Sequence, residues 1–153
     1  MAGRQDYISV QELDFDQQAE YQALIRDNPG DGAVVTFTGL VRNQNQGKRI
    51  LSLTLEHYPA MTKKSLEQIV QQARSRWPLG RVRLIHRIGR LELGQQIVFV
   101  GVSSTHRQAA FEACEYIMDY LKTRAPFWKK EQTEEGDHWV EARDSDHHQA
   151  GRW

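Results

Sequence analysis

The sequence predicts an α+β fold: a mixed, mainly antiparallel sheet with helices packed on it, in a single domain. Three observations carry this. Short segments alternate apolar and polar residues, as Leu51, Leu53 and Leu55 do against Ser52, Thr54 and Glu56, which is the pattern of half-buried strands. Adjacent strands are joined by turns too short for a crossover, Leu91-Glu92-Leu93-Gly94 among them, so they pair antiparallel. Other segments repeat apolar residues at helical spacing and supply helices for one face of the sheet.

Taken in order, Tyr7 to Val10 is a short strand, and Asp14 to Asn28 a polar amphipathic helix with Ala19, Ala23 and Leu24 or Ile25 inward. Asn28-Pro29-Gly30-Asp31-Gly32 breaks the chain. Ala33 to Leu40 is a strand whose Gly39 points to a bulge or a close backbone approach. Arg42 to Gly47 is a polar loop, and Ile50 to His57 the alternating strand already described. Thr62 to Trp77 is a second helix, with Leu66, Ile69, Val70 and Ala73 as its stripe and Pro78 after it. Arg81 to Ile88 alternates again. Gln96 to Val102 is the most apolar strand and so a central one. A last strand is expected around His138 to Ala142, and the tail from about 144 to 153 is polar with little structure signal.

Between these runs Ser103 to Glu131, one long helix followed by a stiff basic hook. Thr105 with Gln108 forms a capping-box pattern, making Thr105 the expected N-cap. Ala110, Ala113, Cys114, Ile117 and Leu121 form the apolar stripe, and Pro126 stops the helix. His106 and Arg107 lie in its first turn, Lys122 in its last. Counting from 106 to 122, these positions stand about 24 Å apart at about 1.5 Å per residue, too far to grip one small ligand from a single chain.

Composition narrows the classes. The chain has 153 residues, enough for one domain with a sizeable core, and no repeat or linker divides it, so the domain is expected to span 1–153. Twenty basic and 20 acidic residues balance, which counts against a general nucleic-acid binder. A single cysteine, Cys114, allows no intrachain disulfide. The N-terminus has no apolar core of signal-peptide length, and no run approaches a membrane span, so a cytoplasmic protein is expected. P-loop, G-x-G-x-x-G, C-x-x-C, H-E-x-x-H and G-x-S-x-G patterns are absent. None of the six histidines has convincing zinc-ligand spacing, so neither a metal nor a cofactor is expected.

The candidate site is therefore built from cations. Arg42 leaves a glycine-containing strand end, which suits a bidentate grip on phosphate or carboxylate as well as plain solvation. His106-Arg107 sits where free N–H groups and the helix dipole favour an anion and disfavour an unpartnered cation. Lys122 reads alone as a surface lysine at a helix C-terminus. Lys129-Lys130 differs, because Pro126, Phe127 and Trp128 stiffen the backbone and exclude water, conditions that lower a lysine pKa. Arg143 is one more cation. Cys114 could be a nucleophile, but its place on the apolar stripe favours a buried packing role.

At these residues the chain resembles the large, catalytic subunit family of molybdopterin synthase. The matching pieces are F-T-G-L-V-R-N at Phe37 to Asn43, L-E-H-Y at Leu55 to Tyr58, R-W-P-L-G at Arg76 to Gly80, H-R-I-G at His86 to Gly89, S-S-T-H-R at Ser103 to Arg107 and L-K-T-R-A-P-F-W-K-K-E at Leu121 to Glu131. They run in one register from about Asp31 to Arg143. The resemblance implies an α/β hammerhead-type fold and a homodimer at the core of a heterotetramer. It implies as partner a small ubiquitin-like sulfur carrier whose Gly-Gly end carries a thiocarboxylate. It also implies transfer of that sulfur to cyclic pyranopterin monophosphate, forming the dithiolene of molybdopterin. By motif it places Lys122 and Lys129 on the catalytic lysines. It places Arg42, His106, Arg107, Lys130, Glu131 and Arg143 around the substrate, and the backbone of Leu40 and Val41 along the site. Leu40 departs from relatives that carry a basic residue there. Two other classes compete: an adaptor that only binds a Gly-Gly tail, and a sensor of a phosphorylated ligand.

Overall fold

The computed structural model describes residues 5–140 and 144–153, the side chains of 144 and 145 excepted. Among the described residues nine strands and four helices follow in the order β1 (Asp6–Gln11), α1 (Gln17–Ile25), β2 (Ala33–Leu40), β3 (Gln44–Asn45), β4 (Lys48–His57), α2 (Pro59–Arg76), β5 (Val82–Arg87), β6 (Gly89–Glu92), β7 (Gln96–Ser104), α3 (Arg107–Thr123), β8 (Phe127–Thr133), β9 (Gly136–Val140) and α4 (Asp144–Ala150).

They build two sheets. The first has the order β1-β5-β7-β2, with β1 parallel to β5 and the other pairs antiparallel. β7 is interior to it, as its apolar run requires. The second has the order β3-β4-β8-β9, with β6 also on β4, and every pair in it is antiparallel. The mixed, mainly antiparallel α+β architecture is the one the alternation predicts.

Helices cover both faces of the first sheet, not one. Alternation along β5 and β7 explains why. Leu84, Val98, Val100 and Val102 turn towards Leu66, Ile69 and Val70 of α2 and Ala113 and Ile117 of α3. Ile85 and Phe99 turn the other way, onto Leu24 of α1 and Phe15. Gly101 permits this second layer, because a Cβ there would stand 2.6 Å from Leu24 Cδ1. A third cluster, Val41, Leu53, Leu55 and Leu91, lies under the second sheet.

Several boundaries differ from expectation for physical reasons. α1 is shorter than Asp14 to Asn28, because the Asp16 carboxylate accepts from the N–H groups of Gln18 and Ala19 and fixes its start. α2 begins at Pro59 instead of Thr62, since proline at the first helical position suffers no lost hydrogen bond. The capping box at Thr105 does not form: His106 is the N-cap, without a side-chain cap bond, and Gln108 bonds Glu112 instead. In β4 a register shift between Ile50 and Ser52 leaves Leu51 exposed and Ser52 buried, which breaks the alternation there. β3 occupies part of the loop expected at 42–47, and β6 part of the turn at 91–94.

Two elements escaped the sequence. The basic hook is a regular strand, β8, with charged residues on both faces. The tail holds α4 and is fastened through its last residues. The Trp153 indole donates to Asp119 at 2.6 Å, and its ring meets Trp77 and Tyr116 edge-on. The final strand is β9, ending at Val140; Glu141 and Ala142 lie outside the described residues.

Candidate active site

β2, α3 and β8 converge on a cavity of about 470 Å³. β2 ends in a register shift between Gly39 and Leu40, after which Leu40 pairs with Gln96 at the start of β7. The Val41 N–H then donates to Gln95 O and its carbonyl accepts from Gly94 N–H, so this backbone is pinned while Arg42 stays exposed beside it. Leu40, Val41 and Arg42 all line the cavity.

α3 brings Met118, Leu121 and Lys122 to the cavity. Its apolar stripe is buried against the first sheet, and this holds the helix end in place. β8 enters from the other side. Its residues alternate, so Phe127, Lys129 and Glu131 face the cavity, and the residues between them face away. Glu131 accepts from the Asn45 amide at 2.9 Å, tying β8 to the β3–β4 hairpin.

Lys122 and Lys129 thus share one cavity although they come from different elements. Burial and the adjacent Lys122 ammonium hold the Lys129 amine down at about 8, against partial compensation by Asp146 of α4 and by Glu131. At that value about one Lys129 side chain in ten is a free amine at pH 7. The aromatic setting read from Phe127 contributes, though Trp128 is on the far face and half exposed.

Other expected site residues are elsewhere. Lys130 points away from the cavity and lies over the Trp139 ring at 5.5 Å, because neighbouring strand residues face opposite ways. His106 and Arg107 are exposed at the start of α3 and do not line this cavity. Arg143 lies outside the described residues. Cys114 is buried on the α3 stripe and its thiol is pushed up to about 12, which fits packing and not nucleophilic chemistry. Among the described residues no group of His, Cys, Asp or Glu could hold a metal ion, and no helix is long and apolar enough to cross a membrane.

Sequence reasoning missed His86. It comes from β5, lines the cavity and stacks on Phe127 with centroids 3.8 Å apart. Burial, with the positive charges of Lys129 and Lys122, pushes its imidazole down to about 4, so the ring is neutral at pH 7. The available signal was a histidine directly after Leu84 and Ile85 in the most buried part of a strand.

Comparison with known proteins gives one answer. Residues 10–124 match the family model described as MoaE protein. A relative from Vibrio cholerae, "Molybdopterin synthase catalytic subunit", is 60% identical over 146 residues, covering 95% of this chain and 97% of that protein. One of the same description from Escherichia coli K12 is 68% identical over 123 residues, covering 80% and 82%. Among solved structures, a molybdopterin biosynthesis MoaE protein from Burkholderia ambifaria superposes with a TM-score of 0.82 at 46% identity, covering 97% of each chain. Molybdopterin synthase from Staphylococcus aureus gives 0.78 at 34% identity, covering 86% of this chain and 94% of that one.

Proposed function

We infer the function from one premise: the chain belongs to the MoaE family. It acts as the catalytic subunit of a molybdopterin synthase, a sulfurtransferase of molybdenum-cofactor biosynthesis. Its donor is the thiocarboxylated Gly-Gly end of a small ubiquitin-like subunit, and its acceptor is cyclic pyranopterin monophosphate. The chain works in the cytoplasm as one domain, paired with itself and carrying one small subunit per copy.

The observation that best supports the chemistry is the pair of lysines in one cavity, one of them with its pKa lowered to about 8. A thiocarboxylate is already a competent sulfur nucleophile, so the chain must place it, polarise its carbonyl and move protons. Lys122 suits the first two tasks as a charge at the end of a rigid helix. Lys129 can donate a proton or offer a free amine within the pH range where enzymes operate. An adaptor that only held the tail would gain nothing from burying a second ammonium beside the first. Arg42, exposed at the rim after a pinned backbone, suits the substrate phosphate.

His106, Arg107 and Arg143 remain part of the proposed substrate surround, with the first two supplied across a dimer. α3 separates them from Lys122 by about 24 Å. An isologous two-fold contact sets position i of one copy against position j of the other, so the start of one α3 can complete the cavity at the end of its mate.

The deciding experiment mixes this chain with a thiocarboxylated small subunit and the cyclic precursor, and follows dithiolene product. Binding of the small subunit without any product, under conditions where a relative turns over, would leave the adaptor reading in its place.

A further inference from the structure

His86 is the part of the cavity to which the sulfur-transfer reading gives no task. Its residue surface is 7% exposed. One ring face lies on Phe127, with 14° between the planes, and His57 of β4 lies on Phe127 as well, at 6.4 Å. Nδ1 is 2.9 Å from the Arg87 carbonyl, which can only accept, so Nδ1 carries the hydrogen and Nε2 the lone pair. Stack and hydrogen bond together hold the plane of the ring and its tautomer.

Nε2 has no hydrogen-bond partner among the described residues. The Lys122 and Lys129 amines pair with each other, and Arg87 is turned to the carbonyls of Glu12 and Gln96. Yet none of the buried side-chain nitrogens or oxygens among those residues is left unpartnered. Nε2 is therefore not sealed in; it opens to the cavity that His86 lines, over a floor of Ile97, Val98, Met118 and Leu121. A phenyl ring would stack on Phe127 equally well, so the acceptor nitrogen is what histidine adds here.

The chemistry of the group that meets this lone pair is narrowly set. Burial and the positive charges of Lys129, Lys122 and His57 keep the ring neutral at pH 7, so Nε2 accepts and does not donate. Phosphate and thiocarboxylate oxygens bring lone pairs of their own and are repelled; they belong with Lys122, Lys129 and Arg42 along the same cavity. The other charged groups there, Glu131 and Asp146, offer no donor as carboxylates. An open acceptor binds water until a ligand displaces it, and that ligand must bring an N–H or O–H or lose affinity. The amide N–H groups of an extended Gly-Gly tail are met by backbone carbonyls at a strand edge. β2, an edge strand among the described residues, lines the cavity and offers them. A pterin carries N–H donors around the edge of a flat ring, in the plane in which an imidazole nitrogen accepts.

We propose that His86 is a substrate-binding residue that recognises the heterocycle: its Nε2 lone pair accepts a hydrogen bond from a ring N–H of the pterin, while the phosphate of the same molecule stays with the cations. This deepens, and rests on, the reading that the sulfur acceptor is a phosphorylated pyranopterin. No proton leaves the ring or reaches it.

The test uses the complex with a small subunit lacking the thiocarboxylate, so that the cyclic precursor binds without turning over. In chain carrying 15N-histidine, adding precursor should move the Nε2 resonance of His86 in the direction of an accepted hydrogen bond, with Nδ1 keeping its proton. His86→Phe keeps the stack and removes the acceptor. It should weaken precursor binding about tenfold or more, because the ring N–H is left unpaired, and leave small-subunit affinity within about twofold. His86→Gln, which can present a carbonyl oxygen, should recover most of the loss. With the thiocarboxylated subunit, His86→Phe should raise KM by a similar factor and change kcat less than about threefold. An Nε2 resonance that ignores the precursor, or unchanged precursor affinity in His86→Phe, would overturn the proposal and make His86 a packing residue. A loss confined to small-subunit affinity would overturn it as well and assign Nε2 to the tail. If His86→Phe does not fold, His86→Met replaces it, and the 15N measurement needs no variant. A parent that binds no precursor at all would sink the substrate reading together with this contact, whereas a parent that binds it with Nε2 untouched sinks the contact alone.

Discussion

Lys129→Met should stabilise the fold while destroying activity. The lysine is held at about 8 in the folded chain against an ordinary value of 10.5. That gap is about 2.5 units, and at about 1.4 kcal/mol per unit it sets a ceiling of about 3.5 kcal/mol on the cost of keeping the ammonium there. Screening by cavity water reduces the effective figure to about 1–2 kcal/mol. The sign follows from linkage. Between pH 8 and 10.5 the unfolded chain holds a proton that the folded chain has shed, so stability rises with pH across that window. The penalty is fully present below 8 and gone above 10.5. Methionine fills similar space and carries no charge. At pH 7 the variant should melt about 2–8 °C higher than the parent, given about 2–4 °C per kcal/mol for a chain of this size. The difference should shrink as pH rises through 8 and vanish near 10.5. The assay is thermal unfolding of both proteins, without the small subunit, at several pH values and low salt. A melting difference of zero at pH 7, or one that stays constant up to pH 10.5, would refute the claim that burial and Lys122 depress Lys129.

Other outcomes are equally checkable. Lys122→Ala and Lys129→Ala should each fold and lose most turnover; near-parental rates in both would remove the lysines from the mechanism. Arg42→Ala should weaken precursor binding by about 1.5–3 kcal/mol, as for a charged hydrogen bond, and leave small-subunit affinity nearly unchanged; equal losses in two titrations would count against a phosphate role. Co-refolding a His106→Ala, Arg107→Ala double variant with Lys122→Ala should restore about a quarter of parental activity, since about half the dimers are mixed and each has one intact site; confirmed heterodimers without recovery would end the shared-site model. Gly80→Ala should cost about 2–4 kcal/mol, because its Cβ would stand 1.8 Å from an Asp31 carboxylate oxygen already bound by Asn28 and Ser103; urea unfolding within about 0.5 kcal/mol of the parent would contradict this.

The sequence was most legible where local physics and tertiary packing agree. β2 was placed to the residue, its bulge was anticipated from Gly39, and the α3 stripe from Ala110 to Leu121 is buried as its spacing requires. It failed where long-range partners decide. β8 reads as a charged hook because its strand character comes from pairing with β4 and β9, not from its own composition. α4 is polar apart from the buried Ala150, and the segment is held down largely by Trp153, which no periodicity reveals. The single-face helix layer was wrong because nothing local says that Leu24 will cross to Phe99. In the site, Lys122 was put forward by motif alone and Lys129 by setting and motif together, and the structure brings the two into one cavity. Lys130 was drawn in with its neighbour because adjacency was read without strand parity. His86 was passed over because, in sequence, a buried histidine looks like any other core residue.

That parity has a consequence for how the chain tolerates change in length. Two consecutive lysines usually seem interchangeable, and on a disordered hook they would be. On β8, losing one residue between Phe127 and Lys129 would turn the far-side residues inward. A lysine would still enter the cavity, so charge alone would not register the error. If the strand instead kept its phase from Lys129 onward, Phe127 would turn to the far face and no ring would meet His86. Substitution and deletion are therefore distinct lesions here: the first tests a side chain, the second tests whether the strand is in phase, and the phenyl ring of Phe127 is the tooth that keeps it there.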